Sequence, residues 1–506
     1  MDKNYNPIND IQKKRRLKYG TFALILTAAV IALVVLINAI FGALCIKNTW
    51  YVDMTERDLF TPDPNAIKLL EEYRGSEEFN IEFIFCMPED KLIKNDLCNM
   101  VNTMIKRYDE EYDFISVKYI DINRNPQLID KYLNNTAASP KTTSVIVTNG
   151  KNSIVYAIDT FFVSSDANSA SYYAINADQK IVSAIMRLSG DTPLAYFVTN
   201  HGESVDNTAL REIFVDAGYE VKNIDLTTEE IDPAAKMIVI NNPKTDFWGA
   251  DQAVNEIKKI DAILDGSAGL MVFLDETANE LPILEDYLAH WGVKFERQSV
   301  RDYSSSVPGS DGKVIFAKYT DSGNGATITK SLRESSSPQK PVITNCRPIT
   351  LLYGDTDETA KYFSENHATR YASSILTTTS DAVSYPLDGE GKESKGAVNV
   401  LTLTVQHRLK DNVAQQSFVI AGGTNSFSDS EYINGSSYAN KDILYNAMKI
   451  IAKKNVPLGI RAKVFSDDSL TITAKEANTW TAVCTLLFPA TVAFVGIIVY
   501  ARRRYK

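Results

Sequence analysis

Long uncharged apolar runs lie near both ends of the chain, and each has a basic cluster on its outer side. Residues 21–46 and 480–500 contain no charged side chain, whereas five Lys or Arg residues lie within 13–18 and four within 502–506. A helix of about 20 apolar residues crosses the hydrocarbon core, and basic flanks favour the cytoplasmic side. The pattern predicts two transmembrane helices, at 21–46 and 480–500.

This layout predicts a cell-membrane protein with residues 1–20 and 501–506 as cytoplasmic tails and a large extracytoplasmic region between the spans. For the first run the alternative is a cleaved signal peptide, and for the second a buried core helix. The length of the first run and the Trp480 and Tyr500 flanks of the second favour transmembrane helices.

Residues 47–180 have the pattern of a small α/β domain. Short β-rich apolar segments alternate with segments of helical spacing, in the order βαβαββ. This order is the thioredoxin-like arrangement, although no CxxC motif is present and redox chemistry is not expected. The predicted strands are 80–86, 115–122, 144–148 and 153–158, and the predicted helices are 92–112 and 127–133.

A second α/β series occupies residues 181–455. Apolar strands alternate with amphipathic helices, and several of these helices stop at a glycine, which predicts a doubly wound sheet of the flavodoxin or Rossmann type. The predicted strands are 194–199, 221–226, 236–241, 269–274, 348–353, 398–406 and 416–421, and the predicted helices are 179–188, 207–217, 253–264, 281–291 and 440–453.

Three stretches interrupt this alternation. Residues 297–341 are rich in Ser, Gly and Asp, which predicts a mobile insertion, and residues 377–395 are polar and expected to be exposed. Residues 456–479 read as a β-rich return to the membrane.

Composition excludes several classes of function. The chain of 506 residues has a formal net charge of −10, which argues against nucleic acid, because that partner calls for a basic face. Its five cysteines form no disulfide framework, although a Cys86–Cys98 bridge stays open. The four histidines are scattered without metal-ligand spacing, so we expect no metal and no cofactor.

Candidate site residues follow three predicted strands, where ligands of parallel α/β sheets bind. His201 and Glu203 could act as a base and its partner, and the glycines could admit a ligand close to the backbone. The alternative, which we favour, is that these residues form turns and helix caps. No GxSxG or phosphate-loop motif accompanies them. The loops comprise Asn200, His201, Gly202 and Glu203; Asp275 and Glu276; and Gly422, Gly423 and Asn425.

The segment that follows the first apolar run is a separate candidate. Arg57 lies in a tight link between a predicted strand and a predicted helix whose first turn contains Pro64. A structural role is favoured for this link, and contact with a partner is the alternative.

Several short segments together resemble one family, the GldG-like auxiliary proteins of ABC-type transport systems, named from gliding motility. The segments keep the family order from about residue 50 to residue 504. Asn200 stands where the family pattern has glycine. The matching segments are 53–55 with 59–61, 197–203, 419–423 with 425–429, 444–453, and Pro489, Gly496 and 502–504.

The resemblance implies a non-catalytic auxiliary subunit that works with an ABC ATPase and permease. The outer α/β domain of that family is similar to a domain of intraflagellar-transport proteins, itself related to class I amidotransferases. We therefore expect a membrane-anchored auxiliary subunit whose outer domains bind substrate or dock the complex in the envelope. The alternatives are a membrane-tethered, amidotransferase-like hydrolase that uses His201, Glu203 and Asp275, or a receptor with a small ligand between its two α/β domains.

Overall fold

The chain divides into two compact units, Met1–Thr61 and Pro62–Lys506, each described here by itself. In this computed structural model, the described residues are 22, 25–37, 40, 53, 55, 58–73, 79–133, 139–164, 171–190, 192–203, 207–335, 337–365, 367–389, 392–410, 413–434, 437–452, 456–465, 474–487 and 489–490.

The described part of the first unit contains helical residues 25–37 and a hydrogen-bonded turn around Asp53. The Asp53 carboxylate accepts bonds from the Thr55 N–H at 3.0 Å, the Thr55 hydroxyl at 2.6 Å and the Phe60 N–H at 2.7 Å. Partial burial opposes ionisation, but these bonds outweigh it and lower the pKa of Asp53. The predicted contact residue of this link, Arg57, lies outside the described residues.

The prediction of two transmembrane helices is wrong. Across the ranges described above, no helix is both long enough and apolar enough to cross a bilayer. An apolar run has the composition of a membrane-spanning helix, but it does not by itself fix one continuous helix of the required length. The predicted cell-membrane location, with both tails in the cytoplasm, depended on these two helices and is contradicted by the same finding. Parts of both runs, including 41–46 and 491–500, lie outside the described residues.

The first part of the second unit is built around a four-stranded sheet with the order β2-β1-β3-β4. β1 runs parallel to β2 and antiparallel to β3, and β3 and β4 form a hairpin. These strand orders and directions are those of the predicted βαβαββ arrangement. The strands are β1 Ile81–Phe85, β2 Ile115–Tyr119, β3 Ser144–Thr148 and β4 Ser153–Ala157.

The helices of this part follow from capped, amphipathic sequence. The Asn95 side chain accepts from the Cys98 N–H and starts α3, which buries one apolar face with Val101, Ile105 and Tyr108. The helices are α1 Pro64–Leu70, α2 Glu89–Leu92, α3 Asp96–Glu111, α4 Gln127–Leu133 and α5 Ala177–Ser189, with short 3₁₀ turns at Glu71–Tyr73 and Ile158–Phe161.

The larger sheet joins a parallel half to an antiparallel half. β22, β10, β9, β7 and β8 are consecutive and parallel, as predicted for a doubly wound sheet. β21 pairs antiparallel with β22, and further antiparallel strands extend the sheet. The strands are β7 Leu194–Val198, β8 Glu220–Ile224, β9 Ala235–Asn241, β10 Gly269–Phe273, β11 Val293–Phe295, β14 Lys318–Tyr319, β16 Ile349–Leu351, β17 Lys361–Phe363, β18 Ala368–Thr377, β21 Asn399–Lys410 and β22 Val413–Gly422.

Helices cover both faces of this sheet, so its parallel strands are apolar on both sides. One core packs α6 and α11 against Phe197, Val239 and Phe273. The other packs α7 and α8 against alternate residues of the same strands, such as Val198 and Leu270. The helices are α6 Thr208–Asp216, α7 Glu256–Leu264, α8 Pro282–His290, α9 Gly323–Arg333, α10 Ser430–Asn434, α11 Asn440–Ala452 and α12 Ala474–Ala482, which continues into a π-helix at Val483–Leu487.

The predicted mobile insertion at 297–341 is instead built of short strands and an ordered helix. α9 lies within it and packs against β18. The exposed stretch predicted at 377–395 likewise contains β19, which pairs with β12. The strands of these stretches are β12 Gln298–Arg301, β13 Ile315–Phe316, β15 Val342–Ile343, β19 Val383–Pro386 and β20 Ser394–Lys395.

A separate three-stranded sheet was not predicted. β5 Phe162–Ser164 and β6 Tyr172–Ile175 pair with each other, and β6 pairs with β23 Lys463–Val464. The predicted β-rich return at 456–479 therefore contributes one short strand among its described residues, and from Ala474 the chain is helical.

Candidate functional site

The three predicted loops lie along one edge of the larger sheet. They follow β7, β10 and β22, which are parallel and point the same way. The loop after β9, residues 242–248, lies between the loops of β7 and β10, because β9 separates these strands. This edge is the place where parallel α/β sheets bind ligands.

The loop after β7 turns through two residues with left-handed backbone. Asn200 has φ of 84° and Gly202 has φ of 67°. Asparagine is among the few side chains that tolerate this region, so Asn200 fits the turn. The Asn200 amide donates to the Asp225 carboxylate at 3.3 Å.

The His201 side chain is held on two sides. It is 3 % exposed, its ring stacks on Phe247 with centroids 4.0 Å apart, and its Nε2 lies 3.1 Å from Oε1 of Glu256. The His201 carbonyl accepts from the Lys244 and Thr245 N–H groups at 2.7 and 3.0 Å. The ring and backbone of His201 therefore fasten the loop of β7 to the loop of β9.

Glu256 fixes the other side of this pair. It begins α7, is fully buried, and its Oε2 accepts from the Trp248 N–H at 2.7 Å. Glu256 also donates its own N–H to the Trp248 carbonyl at 2.9 Å. One buried carboxylate thus holds both the imidazole and the backbone of the β9 loop.

Two pKa shifts accompany this arrangement. Burial alone would lower the pKa of His201, but the hydrogen bond and charge of Glu256 outweigh it, so the pKa is raised. Burial raises the pKa of the Glu203 carboxyl. Oε2 of Glu203 accepts from the His201 N–H at 2.9 Å, while its Oε1 has no hydrogen-bond partner among the described residues.

Glu256→Gln should lower the pKa of His201, because the variant keeps the side-chain shape and removes the charge. A raised folded-state pKa adds stability below the unfolded value of about 6.5, and this stability is lost as the pH rises through the folded value. We expect the fall in stability of the wild type above pH of about 6.5 to be reduced in the variant. NMR titration of the His201 ring and urea unfolding at several pH values measure both effects.

Glu203→Gln is the matched control, because Glu203 bonds to the His201 backbone rather than to its ring. Its effect on the His201 pKa should be the smaller of the two. An unchanged His201 pKa in Glu256→Gln would contradict the role assigned to the buried pair.

Asp275 and Glu276 are not brought to His201. Asp275 is buried and its Oδ1 accepts from the Thr277 N–H at 2.8 Å and hydroxyl at 2.6 Å, which forms a local turn. The Asp275 N–H donates to Asn242 of the β9 loop at 3.4 Å. Glu276 lies 3.4 Å from the Arg301 guanidinium.

The loop after β22 packs against the chain itself. A Cβ on Gly422 would lie 2.7 Å from the Phe273 ring, and one on Gly423 would lie 1.8 Å from the Arg347 carbonyl oxygen. Oδ1 of Asn425 accepts from the Thr344 hydroxyl at 3.2 Å. Neighbouring protein atoms therefore occupy the space that a side chain would fill at each of these glycines.

Nucleophilic groups near this edge are occupied or buried. The Thr277 hydroxyl donates to Asp275, and Thr424 and Ser426 are fully buried and hydrogen-bonded to each other at 2.9 Å. Burial raises the pKa of the Cys346 thiol, so the thiolate is disfavoured. In the described ranges no cluster of three or more His, Cys, Asp or Glu side chains could hold a metal ion.

Glu256 and Phe247 are the partners of His201 that sequence reasoning missed. Glu256 reads as an ordinary acidic residue in the first turn of a helix, and Phe247 lies in a loop. The sequence positions of Glu256 and Phe247 do not indicate contact with His201. The fold brings the three residues together, because β9 lies beside β7 in the sheet.

Comparison with known proteins adds little to this geometry. No family model and no curated protein matches the chain. Among solved structures, the structure of PurLQS from Thermotoga maritima is similar over 51 % of this chain and 99 % of that chain, with 11 % identity and a TM-score of 0.26. A likeness at that TM-score carries no argument about fold or activity.

Proposed function

We propose that this protein is a non-catalytic auxiliary subunit of an ABC-type transport system, which docks its partners at the carboxyl edge of its larger sheet. The observation that supports the proposal is the His201–Glu256 pair. Both side chains are buried and are bonded to each other, and the imidazole also bonds to the Asp246 backbone. The pair therefore supports a rigid surface above it and offers no accessible base. The order of the GldG-like segments along the chain supports the transport role.

Trp248 gives this edge an anchor for a protein partner. Its side chain is 41 % exposed, while both its N–H and its carbonyl are bonded to the buried Glu256. A large aromatic side chain on a fixed backbone costs little conformational entropy on binding, and tryptophan is enriched among the residues that dominate interface energies.

Affinity purification of the tagged full chain from detergent-treated cells of its source tests the proposal. We expect the wild type to recover an ABC ATPase and its permease. Trp248→Glu should lose both partners, because it places a charge at the centre of the contact. Leu352→Glu is the matched control, since Leu352 is 48 % exposed and follows β16 rather than lying in the loop of Trp248, and this variant should keep both partners.

Recovery of the wild-type chain alone would overturn the transport role. Equal recovery with wild type and Trp248→Glu would overturn the docking edge. A hydrolase that uses His201, Glu203 and Asp275 has less support, because the structure does not bring Asp275 to the other two.

A further inference from the structure

A cavity of about 370 Å³ lies between the two α/β parts of the second unit. α1 forms one wall, the end of α9 and the segment after it form another, and α11 with residues 456–461 completes it. The volume falls in the range of about 300–1,000 Å³ that is typical of small-molecule sites. No residue of the His201 edge lines this cavity.

The cavity is held open by hydrogen bonds across its walls. The Asn65 amide of α1 donates to the Gly459 carbonyl at 2.9 Å, and the Gly459 N–H donates to Oδ1 of Asp442 at 3.1 Å. Oδ2 of the same buried carboxylate accepts from Arg461 at 2.7 Å. These bonds fix α1 against α11 without a ligand, so the site is preorganised and binding pays little to order it.

One surface of the cavity is apolar. Leu69, Leu332, Val456 and Leu458 line it, and the Val456 side chain is buried. This surface suits the apolar body of a small ligand, since burial of apolar area is favourable at about 25 cal/mol per Å².

The charged lining favours an anion. The charge of Asp442 is balanced by its ion pair with Arg461. The remaining charged lining residues are one acid, Glu72, and two bases, Lys68 and Lys449. Both lysines are exposed and lack an acidic partner in the part of the chain that the structure describes. Although the chain has a net charge of −10, this cavity has a net positive lining, with Lys68, Lys449 and Arg461 against Glu72 and Asp442.

We propose that this cavity binds a small amphiphilic anion, with a carboxylate or phosphate head at Lys68 and Lys449 and a short apolar body on the leucines. The site stands independently of the docking edge, because it shares no lining residue with it.

Thermal unfolding and titration calorimetry of the full chain with octanoate, octyl phosphate and 1-octanol test this site. We expect saturable binding of the anions and weaker binding of the uncharged alcohol. Binding of octanoate alone identifies a carboxylate ligand, and binding of octyl phosphate alone identifies a phosphate. Absence of saturable binding by either anion, or equal binding of 1-octanol, would overturn the proposal.

Lys68→Gln/Lys449→Gln should weaken anion binding about fivefold, from two partly screened ion pairs. Lys258→Gln is the matched control, since Lys258 is an exposed helical lysine away from the cavity, and should leave binding unchanged. Leu332→Glu should abolish binding by placing a carboxylate on the apolar surface. Equal affinities of the double variant and the Lys258 control would count against the site.

Discussion

Asp216→Leu should lower the free energy of unfolding by about 3–5 kcal/mol, because it leaves the Lys180 ammonium buried without its partner. Lys180 is 6 % exposed and Asp216 is 3 % exposed. The Lys180 Nζ lies 2.9 and 3.1 Å from the two carboxylate oxygens of Asp216. Lys180 belongs to α5 and Asp216 to α6, so the loss falls where the two α/β parts meet.

The neighbouring groups explain why the Lys180–Asp216 ion pair contributes so much to the free energy of unfolding. Burial would lower the pKa of Lys180, but the Asp216 charge outweighs it and the pKa is raised. The Lys441 ammonium instead donates to the uncharged Oε1 of Gln179 at 2.8 Å, and burial lowers the pKa of Lys441 to about 8. The Gln179 amide donates to Asp216 at 3.0 Å, so the Leu variant also loses this bond.

Urea unfolding of both single variants and the double variant measures the effect. Lys180→Met/Asp216→Leu should be closer to wild type than either single variant, because an apolar pair replaces the ions together. Glu220→Ala is the control for an exposed pair, since Lys222 and Glu220 are about half exposed. It should cost less than about 1 kcal/mol. Equal losses for Asp216→Leu and Glu220→Ala would contradict the assignment.

Gly423→Ala should destabilise the protein by about 3 kcal/mol or more, at the upper end of overpacking effects. The added Cβ would lie 1.8 Å from the Arg347 carbonyl oxygen, which is backbone and cannot rotate away. The same two residues are joined by a bond from the Arg347 N–H to the Gly423 carbonyl at 2.7 Å. Relief of the clash would therefore break this bond and shift the end of β22.

Gly190→Ala is the matched control for Gly423→Ala. No atom lies within 4 Å of its added Cβ, and its φ of −155° is open to any residue. The midpoint of urea unfolding should change little in this variant and fall strongly in Gly423→Ala. If Gly423→Ala were as stable as the control, the space at Gly423 would be open to a ligand, contrary to the turn role that the sequence favours.

Segments with a strong period were predicted closely from sequence. The predicted helix 127–133 is α4, and the predicted strand 144–148 is β3. β9 and β10 were placed to within a residue, because parallel strands buried on both faces are continuous apolar runs. In these segments, the residues that form the local apolar pattern are the same ones that the tertiary structure buries.

α9 and β18 were missed because tertiary contacts create them. The N-terminus of α9 is capped from a distance: the Asn324 N–H donates to Asp355 at 3.1 Å and the Gly325 N–H to Ser373 at 2.7 Å. The two glycines at the start of α9, Gly323 and Gly325, therefore look like part of a loop when the sequence is considered alone. β18 gains its place from long antiparallel pairing with β21, which no local pattern reports.

The candidate edge shows the same division. The sequence by itself determined the α/β class, the strand-end loops and the turn residues within them, because propensity and apolar period act over a few neighbouring residues. Only the tertiary structure decided that His201 pairs with Glu256, that Arg347 fills the space beside Gly423, and that no helix of the described chain could cross a membrane. Those outcomes depend on contacts between residues tens of positions apart and on helix continuity, and neither is written in the local pattern.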